Sequence, residues 1–434
     1  MAQSEERLLR RTRRALLSTN DHVLKNSLIY ICGSCLLLVV VFLTLLPGAL
    51  FNYLRRVHFL KGVIADDVAL DASDAPRRFI ESRSPAIFCH LNLTAFSRLQ
   101  ELRYSVYDVP ANRCTHVVYP LHGLQDWFDD MLNYDAYQSA AHPTLYSDME
   151  YLRKNYKTKV LVYVDTRRAH PERYNLLEWV GQTESMAMLF ARNLYKWLRS
   201  NRLDGVVLEG MFPTPEEERR TMSRLLKKLY TLFKQTGMTL VIVVPADIPL
   251  LRSKIHGRHL SQNVHYVAIR NYDSERPVYE AVRERMVGGI DGLKKTVSAV
   301  LATGAASKKL LTSLALDGLS FRVLENDTVP GMPGPYTNHS GVLAYFEVCS
   351  MLRDTGWRRM VIGGNPVAFK GHDGVSYEDP DSIGLKMSLV RNHSLGGALL
   401  WDVTSDDYRG LCGEINPITR VISDALSSTA ARTK

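Results

Sequence analysis

Charge is missing where a water-facing segment would carry it. Residues 27–54 contain no Asp, Glu, Lys or Arg, and residues 36–46 are almost purely aliphatic. A helix of that length crosses a hydrocarbon core of about 30 Å. A cleaved signal peptide is the alternative reading. Against it, the region before the run is long and no small-x-small cleavage site follows. Internal repeats and low-complexity tracts are also lacking, which excludes solenoids, propellers and disordered arrays. Beyond the apolar run there is no His-x-x-x-His and no Cys-x-x-Cys pair, so no metal and no other cofactor is expected. A basic surplus is absent from the body of the chain as well. Of the net charge of +9, residues 1–61 supply six, with nine Lys or Arg against three acids; the other 373 residues carry three. That leaves no footprint for a nucleic-acid partner.

The basic residues that are present orient the apolar run. Arg7, Arg10, Arg11, Arg13, Arg14 and Lys25 precede it, and Arg55, Arg56 and Lys61 come after it. The excess lies on the N-terminal side, which places that side in the cytosol. The expected organisation is a cytoplasmic tail at 1–26, a signal-anchor helix at 27–54, a weakly periodic stalk at 55–84 and one domain at 85–434. The expected membrane topology is single-pass type II, with the main domain extracellular or in the lumen of the secretory pathway.

Cysteine usage fits an oxidising compartment. Cys32 and Cys35 fall inside the apolar run and read as small apolar residues or acylation sites. The other four, Cys89, Cys114, Cys349 and Cys412, suit two disulfides with three pairings open. Four N-x-S/T sequons at Asn92, Asn326, Asn338 and Asn392 mark candidate glycosylation sites.

From residue 85 short apolar runs alternate with amphipathic stretches. The runs begin at Ala86, His116, Lys159, Gly205, Thr239, His265, Leu310 and Gly397. Helical patterns cover 186–200, 215–234 and 379–392. Thr214 as cap, Pro215 and then Glu216, Glu217 and Glu218 form a strong start signal for the second of these. Eight strands in βα alternation point to an α/β fold, a (β/α)8 TIM barrel, with a doubly wound open sheet as the alternative. Their continuous apolar character suits strands covered on both faces. The stretch at about 317–379 is longer and richer in Gly and Pro, and it reads as an α+β insertion after strand seven.

Several segments, in order, resemble the chitinases and chitinase-like proteins of family-18 glycoside hydrolases, across about residues 85–422. CTHVVYPLHG (114–123) is similar to the family's second strand. LDGVVLEGMFP (203–213) stands where the catalytic D-G-x-D-x-D-W-E-Y-P motif is expected. VAIRNYD (267–273) resembles the strand ending M-x-Y-D. GPYTNHSGVLAYFEVC (334–349) and VSYEDPDSI (375–383) resemble the insertion domain and its exit. GGALLWDVTSDDYRGLCG (396–413) is similar to the eighth strand with its Trp and the Cys beyond it. The resemblance implies Cys89–Cys114 and Cys349–Cys412 as the disulfides.

It also implies a substrate-assisted mechanism, in which a Glu at the end of strand four protonates the glycosidic oxygen and the substrate's own acetamide attacks. Two Asp residues at alternate positions before that Glu share its strand face. With Asp204-Gly205 and Pro213 fixing the register, the three positions here are Val207, Glu209 and Met211. A thioether has no proton to donate. Glu209 lies one strand repeat, about 6–7 Å, too deep, whereas a general acid must sit within about 3 Å of the oxygen it serves. Glu209 is expected instead to be a buried carboxylate held by a neighbouring hydroxyl or cation.

Tyr163, Asp165 and Thr166 replace the family's S-x-G-G, and Arg167 the Trp beyond. Asp317 and Leu319 replace a Tyr and an Arg, and Arg270 replaces the Met of M-x-Y-D. Tyr272, Asp273 and Trp401 keep the family's residue types. With Glu209 they are the candidate substrate-binding residues, Trp401 flooring the central sugar subsite or else filling the barrel core. Trp127 reads as an outer platform or helix core, and Trp197 as packing. The expected function is a catalytically inactive chitinase-like protein that binds a chitooligosaccharide, another N-acetylglucosamine-type glycan, or a glycoprotein. The alternatives are an active glycosidase using Glu209 as a re-sited acid, and a protein-interaction scaffold without sugar binding.

The topology is open to direct measurement. In intact vesicles, protease should remove residues 1–25 while the C-terminus stays protected, and glycosidase treatment should lower the mass of the chain. Protection of residues 1–25 would reverse the orientation.

Overall fold

The computed structural model describes residues 85–120, 143–156, 158–165, 183–210, 216–254, 256–270, 280, 282, 289–325, 327–339 and 341–432. The chain divides into two units, Met1–Asp74 and Ala75–Lys434, and every described residue belongs to the second. The tail, apolar run and stalk expected at 1–84 lie outside the described residues, as do Trp127, Thr166, Arg167, Met211, Tyr272, Asp273 and Asn326. Among the described residues no helix is long and apolar enough to cross a membrane.

Eight parallel strands close into a barrel. They are β1 (Ala86–His90), β2 (His116–Pro120), β3 (Lys159–Asp165), β4 (Gly205–Glu209), β5 (Thr239–Pro245), β6 (Tyr266–Arg270), β7 (Leu310–Ala315) and, after an insertion, β14 (Gly397–Trp401). Neighbours in sequence pair around the ring, and β1 pairs with both β2 and β14 to complete it. The (β/α)8 expectation therefore holds and the open sheet does not. The sixth strand begins at Tyr266, one residue later than its apolar run. His265 instead turns its ring back to β5, where its Nδ1 accepts a hydrogen bond from the Leu240 amide at 3.0 Å.

Strand alternation sorts the side chains into two cores. Phe88, Val118, Leu161, Val207, Val243 and Leu399 meet inside the barrel. Their neighbours, such as Ile87, Val117, Val162, Leu208 and Ile242, face the surrounding helices. This double burial explains why the strands read as unbroken Val/Ile/Leu runs. In mid-lumen Phe88 stacks on His116, with centroids 4.1 Å apart, and meets Tyr266 edge-on at 5.3 Å. Two strands start on glycine because the next strand comes too close for a side chain. A Cβ at Gly205 (φ +153°) would lie 2.0 Å from the Thr239 carbonyl oxygen, and one at Gly397 (φ +143°) 1.8 Å from that of Ala86.

Among the described residues the outer layer includes α1 (Pro143–Tyr156), α2 (Glu184–Ser200), α3 (Glu216–Thr236), the short α4 (Ile248–Lys254) and α5 (Gly257–Gln262), and α6 (Gly289–Ala302). Thr183 caps α2 by accepting from the Met186 amide, and the buried face of that helix includes Phe190, Leu194 and Trp197. Trp197 is thus packing, as its amphipathic setting suggested.

After β7 the chain builds a second, antiparallel sheet from β8 (Asp317–Val323), β9 (Thr328–Pro330), β10 (Val342–Ala344), β11 (Arg358–Ile362), β12 (Asn365–Lys370) and β13 (Asp373–Ser376). The order is β10-β8-β13-β12-β11, with β9 also on β8. Helix α7 (Tyr345–Met351) lies within this insertion. Asp379 then caps α8 (Pro380–Asn392), which leads back to the last barrel strand, and α9 (Pro417–Arg432) closes the domain. The disulfides are Cys89–Cys114, between β1 and the entry to β2, and Cys349–Cys412, between α7 and the segment after β14. That is the pairing the resemblance implied.

The buried histidines give the fold a pH signature. Burial first, then the charges of Lys309, Lys159 and Lys234, push His265 from its usual 6.5 down to about 3. His116 is lowered too, by burial and then by Lys159 and His265. A base whose folded pKa lies below its unfolded value favours folding while it stays neutral. That contribution is complete above about pH 6.5 and is lost as pH falls toward 3. Thermal unfolding should accordingly shift to lower temperature between pH 7 and pH 5, with a shallower dependence in His265→Asn.

Candidate functional site

In a parallel barrel the C-terminal strand ends converge on one mouth, and in enzymes of this fold they carry the chemistry. Here the polar and aromatic side chains at those ends include His90 of β1, Tyr163 and Asp165 of β3, Glu209 of β4, Arg270 of β6 and Trp401 of β14. Glu209 is the hub. It is 4% exposed. Its Oε2 accepts a hydrogen bond from the Tyr163 hydroxyl at 2.5 Å, and its Oε1 accepts from Arg270 Nη1 in an ion pair. The Tyr163 hydroxyl is held protonated, its pKa pushed far up by burial and then by the Glu209 charge. Both carboxylate oxygens therefore act as acceptors.

An aromatic cluster adjoins this pair. His90 stacks on Trp401, with centroids 3.9 Å apart and planes 16° from parallel. Tyr163 meets Trp401 edge-on at 5.0 Å and His90 edge-on at 5.2 Å. The Arg270 guanidinium carbon lies 5.9 Å from the Trp401 ring centroid. The structure thus brings Glu209 and Trp401 into one cluster.

Asp204 is not part of it. It sits just before β4 at the opposite end of the strand, where its Oδ2 accepts from the Val160 amide at 2.8 Å and pairs with Arg153 at 2.9 Å. It pins β3 against β4. Val207 is fully buried in the lumen among apolar side chains. Asp317 opens β8 and is buried, while Leu319 packs with Phe321 and Val367 in the core of the insertion. Among the described sequons Asn92 is partly exposed, and Asn338 and Asn392 are exposed.

The family model for glycosyl hydrolases family 18 matches residues 89–406. The chain belongs to that family. It is 26% identical over 385 residues to an endochitinase of Manduca sexta, covering 80% of this chain and 69% of that protein. It is 25% identical over 357 residues to chitotriosidase-1 of Mus musculus, covering 75% and 74%. Among solved structures, a group II chitinase catalytic domain of Ostrinia furnacalis superposes with a TM-score of 0.66 at 22% identity, over 79% of this chain and 96% of that one. Human YKL-39, described as a pseudo-chitinase with retained chitooligosaccharide binding properties, superposes at 0.64 and 20% identity, over 79% and 100%. At these identities the solved structures speak to the fold alone.

Two members of this family-18 mouth were not singled out from sequence as parts of the site. His90 shares strand parity with Ala86 and Phe88 and so had to face the lumen, a signal available in the β1 run. Arg270 stood out only as a replacement for Met. Its partner lies 61 residues earlier, on a strand two places round the barrel, and only closure of the barrel makes them neighbours.

The pair also has a thermodynamic consequence. Removing one member of a buried ion pair leaves the other charge unpaired, which costs about 3–5 kcal/mol. Chemical denaturation should show Arg270→Met destabilised by that order, with Glu209→Gln/Arg270→Met recovering much of the loss. A neutral single variant would remove the pair as a fixed feature of the mouth.

Proposed function

We propose that this chain is a catalytically silent, membrane-anchored family-18 protein that recognises a saccharide of the N-acetylglucosamine type, or a glycoprotein displaying one. The observation that carries the first half is the double engagement of Glu209. It is the only carboxyl side chain among the lumen-facing residues of β4, and it is spent on Arg270 and Tyr163. In the register set by Asp204-Gly205 and Pro213, Met211 takes the place of the acid and Val207 that of the deepest Asp. General-acid assistance contributes about 10²–10⁴ in rate. Loss of the deep carboxyl and of the strand-three glycines would remove substrate orientation as well.

The second half is supported by the family itself and by a fold neighbour described as a pseudo-chitinase that retains chitooligosaccharide binding. Tyr272, Asp273 and Trp401 keep the family's residue types, and Glu209 lies in the same cluster as Trp401. In this reading residues 27–54 anchor the chain with residues 1–26 in the cytosol. The barrel domain at 85–434 then faces the lumen or the cell exterior on the 55–84 stalk, and Asn92, Asn326, Asn338 and Asn392 are its candidate glycan sites.

The full-length chain in detergent should bind chitotetraose by calorimetry and release no fluorophore from a chitobioside above the buffer rate. Met211→Glu should not restore turnover, since its supporting carboxyls are absent. Steady hydrolysis by the unmodified protein, abolished in Glu209→Gln, would make Glu209 a re-sited acid and the chain a working glycosidase.

A further inference from the structure

If the mouth is a saccharide cleft, Trp401 is the natural floor for its central sugar ring. That floor is already covered. A pyranose stacks on an indole by laying its ring against a bare face at van der Waals distance, about 3.5–4.0 Å. His90 occupies such a position, near-parallel to Trp401 with centroids 3.9 Å apart. The Arg270 guanidinium carbon, 5.9 Å from the ring centroid, flanks the indole at cation–π range. They come from different flanks. β1, which carries His90, borders β14 on one side, and β6, which carries Arg270, lies two strands away on the other. Tyr163 closes the indole edge.

The cover is also fastened. Arg270 is ion-paired to Glu209, with side-chain exposures of only 13% and 5%. The second Glu209 oxygen is held by Tyr163. A neutral sugar that pushed the guanidinium aside would leave a buried carboxylate without its counter-charge, and hydroxyl groups replace a cation poorly in that role. The attraction between the guanidinium and the indole face would be lost with it.

The geometry points to a self-occupied subsite: His90 is stacked where the central sugar ring would lie on Trp401, and Arg270, tied to Glu209, flanks it. A saccharide then meets this protein only at positions away from Trp401. Arg270 is thereby a specificity-determining residue. This inference rests on the saccharide reading of the cleft and narrows it to the outer cleft.

The test pairs calorimetry with tryptophan fluorescence on the full-length chain, using chitotetraose as the probe and Trp401→Phe to isolate the Trp401 signal. In the unmodified protein the titration should be indifferent to Trp401→Phe. His90→Ala/Glu209→Gln/Arg270→Ala removes the stacked ring and the guanidinium, keeps a hydrogen-bonding group facing Tyr163 and leaves no buried charge. It should bind at least tenfold more tightly, with quenching that Trp401→Phe abolishes. Binding by the unmodified chain that is insensitive to Trp401→Phe supports both the saccharide reading and the covered floor. No binding by the unmodified chain, but Trp401-dependent binding by the triple variant, supports the covered floor and removes the saccharide reading. Trp401-dependent binding by the unmodified chain overturns the inference, whether or not the triple variant folds. So does a triple variant with an intact thermal transition and no gain in affinity.

Discussion

Closure of a parallel barrel forces every strand residue to choose between the lumen and the helix layer, and the rest of this molecule depends on that choice. The period of two leaves no neutral position. Phe88 and His90 must go inward if Ile87 and Cys89 go outward. Glu209 must go inward because Leu208 packs under the helices. A carboxylate inside a nearly dry lumen is costly to leave uncompensated. The fold therefore needs a cation at the same height, and Arg270 at the end of β6 meets that need. The ion pair is a consequence of closure before it is anything functional.

The eight strands were legible because double burial makes each a continuous apolar run, and no other arrangement of such runs with intervening helices suits the chain as well. The insertion was legible as an interruption, a long Gly- and Pro-rich stretch between the last two runs. Its strand order was not, because antiparallel pairing between 317 and 376 is fixed by turns and by contacts distant in sequence. The disulfide pairing came from family resemblance. The sixth strand begins one residue later than its apolar run, since a hydropathy pattern does not reveal that His265 spends its ring on the Leu240 amide. In the site, the need of Glu209 for a partner was visible in the register of β4. The partner's identity was not, because residues 209 and 270 become neighbours only in three dimensions. Met211, Tyr272 and Asp273 lie outside the described residues, so their part in the site is carried by register and residue type.

A glycosidase that uses its substrate's acetamide keeps several carboxyls close together in a poorly solvated mouth. Like charges crowded there destabilise the fold while they serve the reaction. Among the described residues of this mouth the charge is compensated: Val207 is neutral, Glu209 is balanced by Arg270, and Tyr163 supplies the remaining donor. The two members of the pair depend on each other, because a buried guanidinium and a buried carboxylate are each costly without the other. In the proposed reading, restoring an acid to this mouth is then more than a single substitution, since the Arg270–Glu209 pair beside Trp401 would have to be replaced as well.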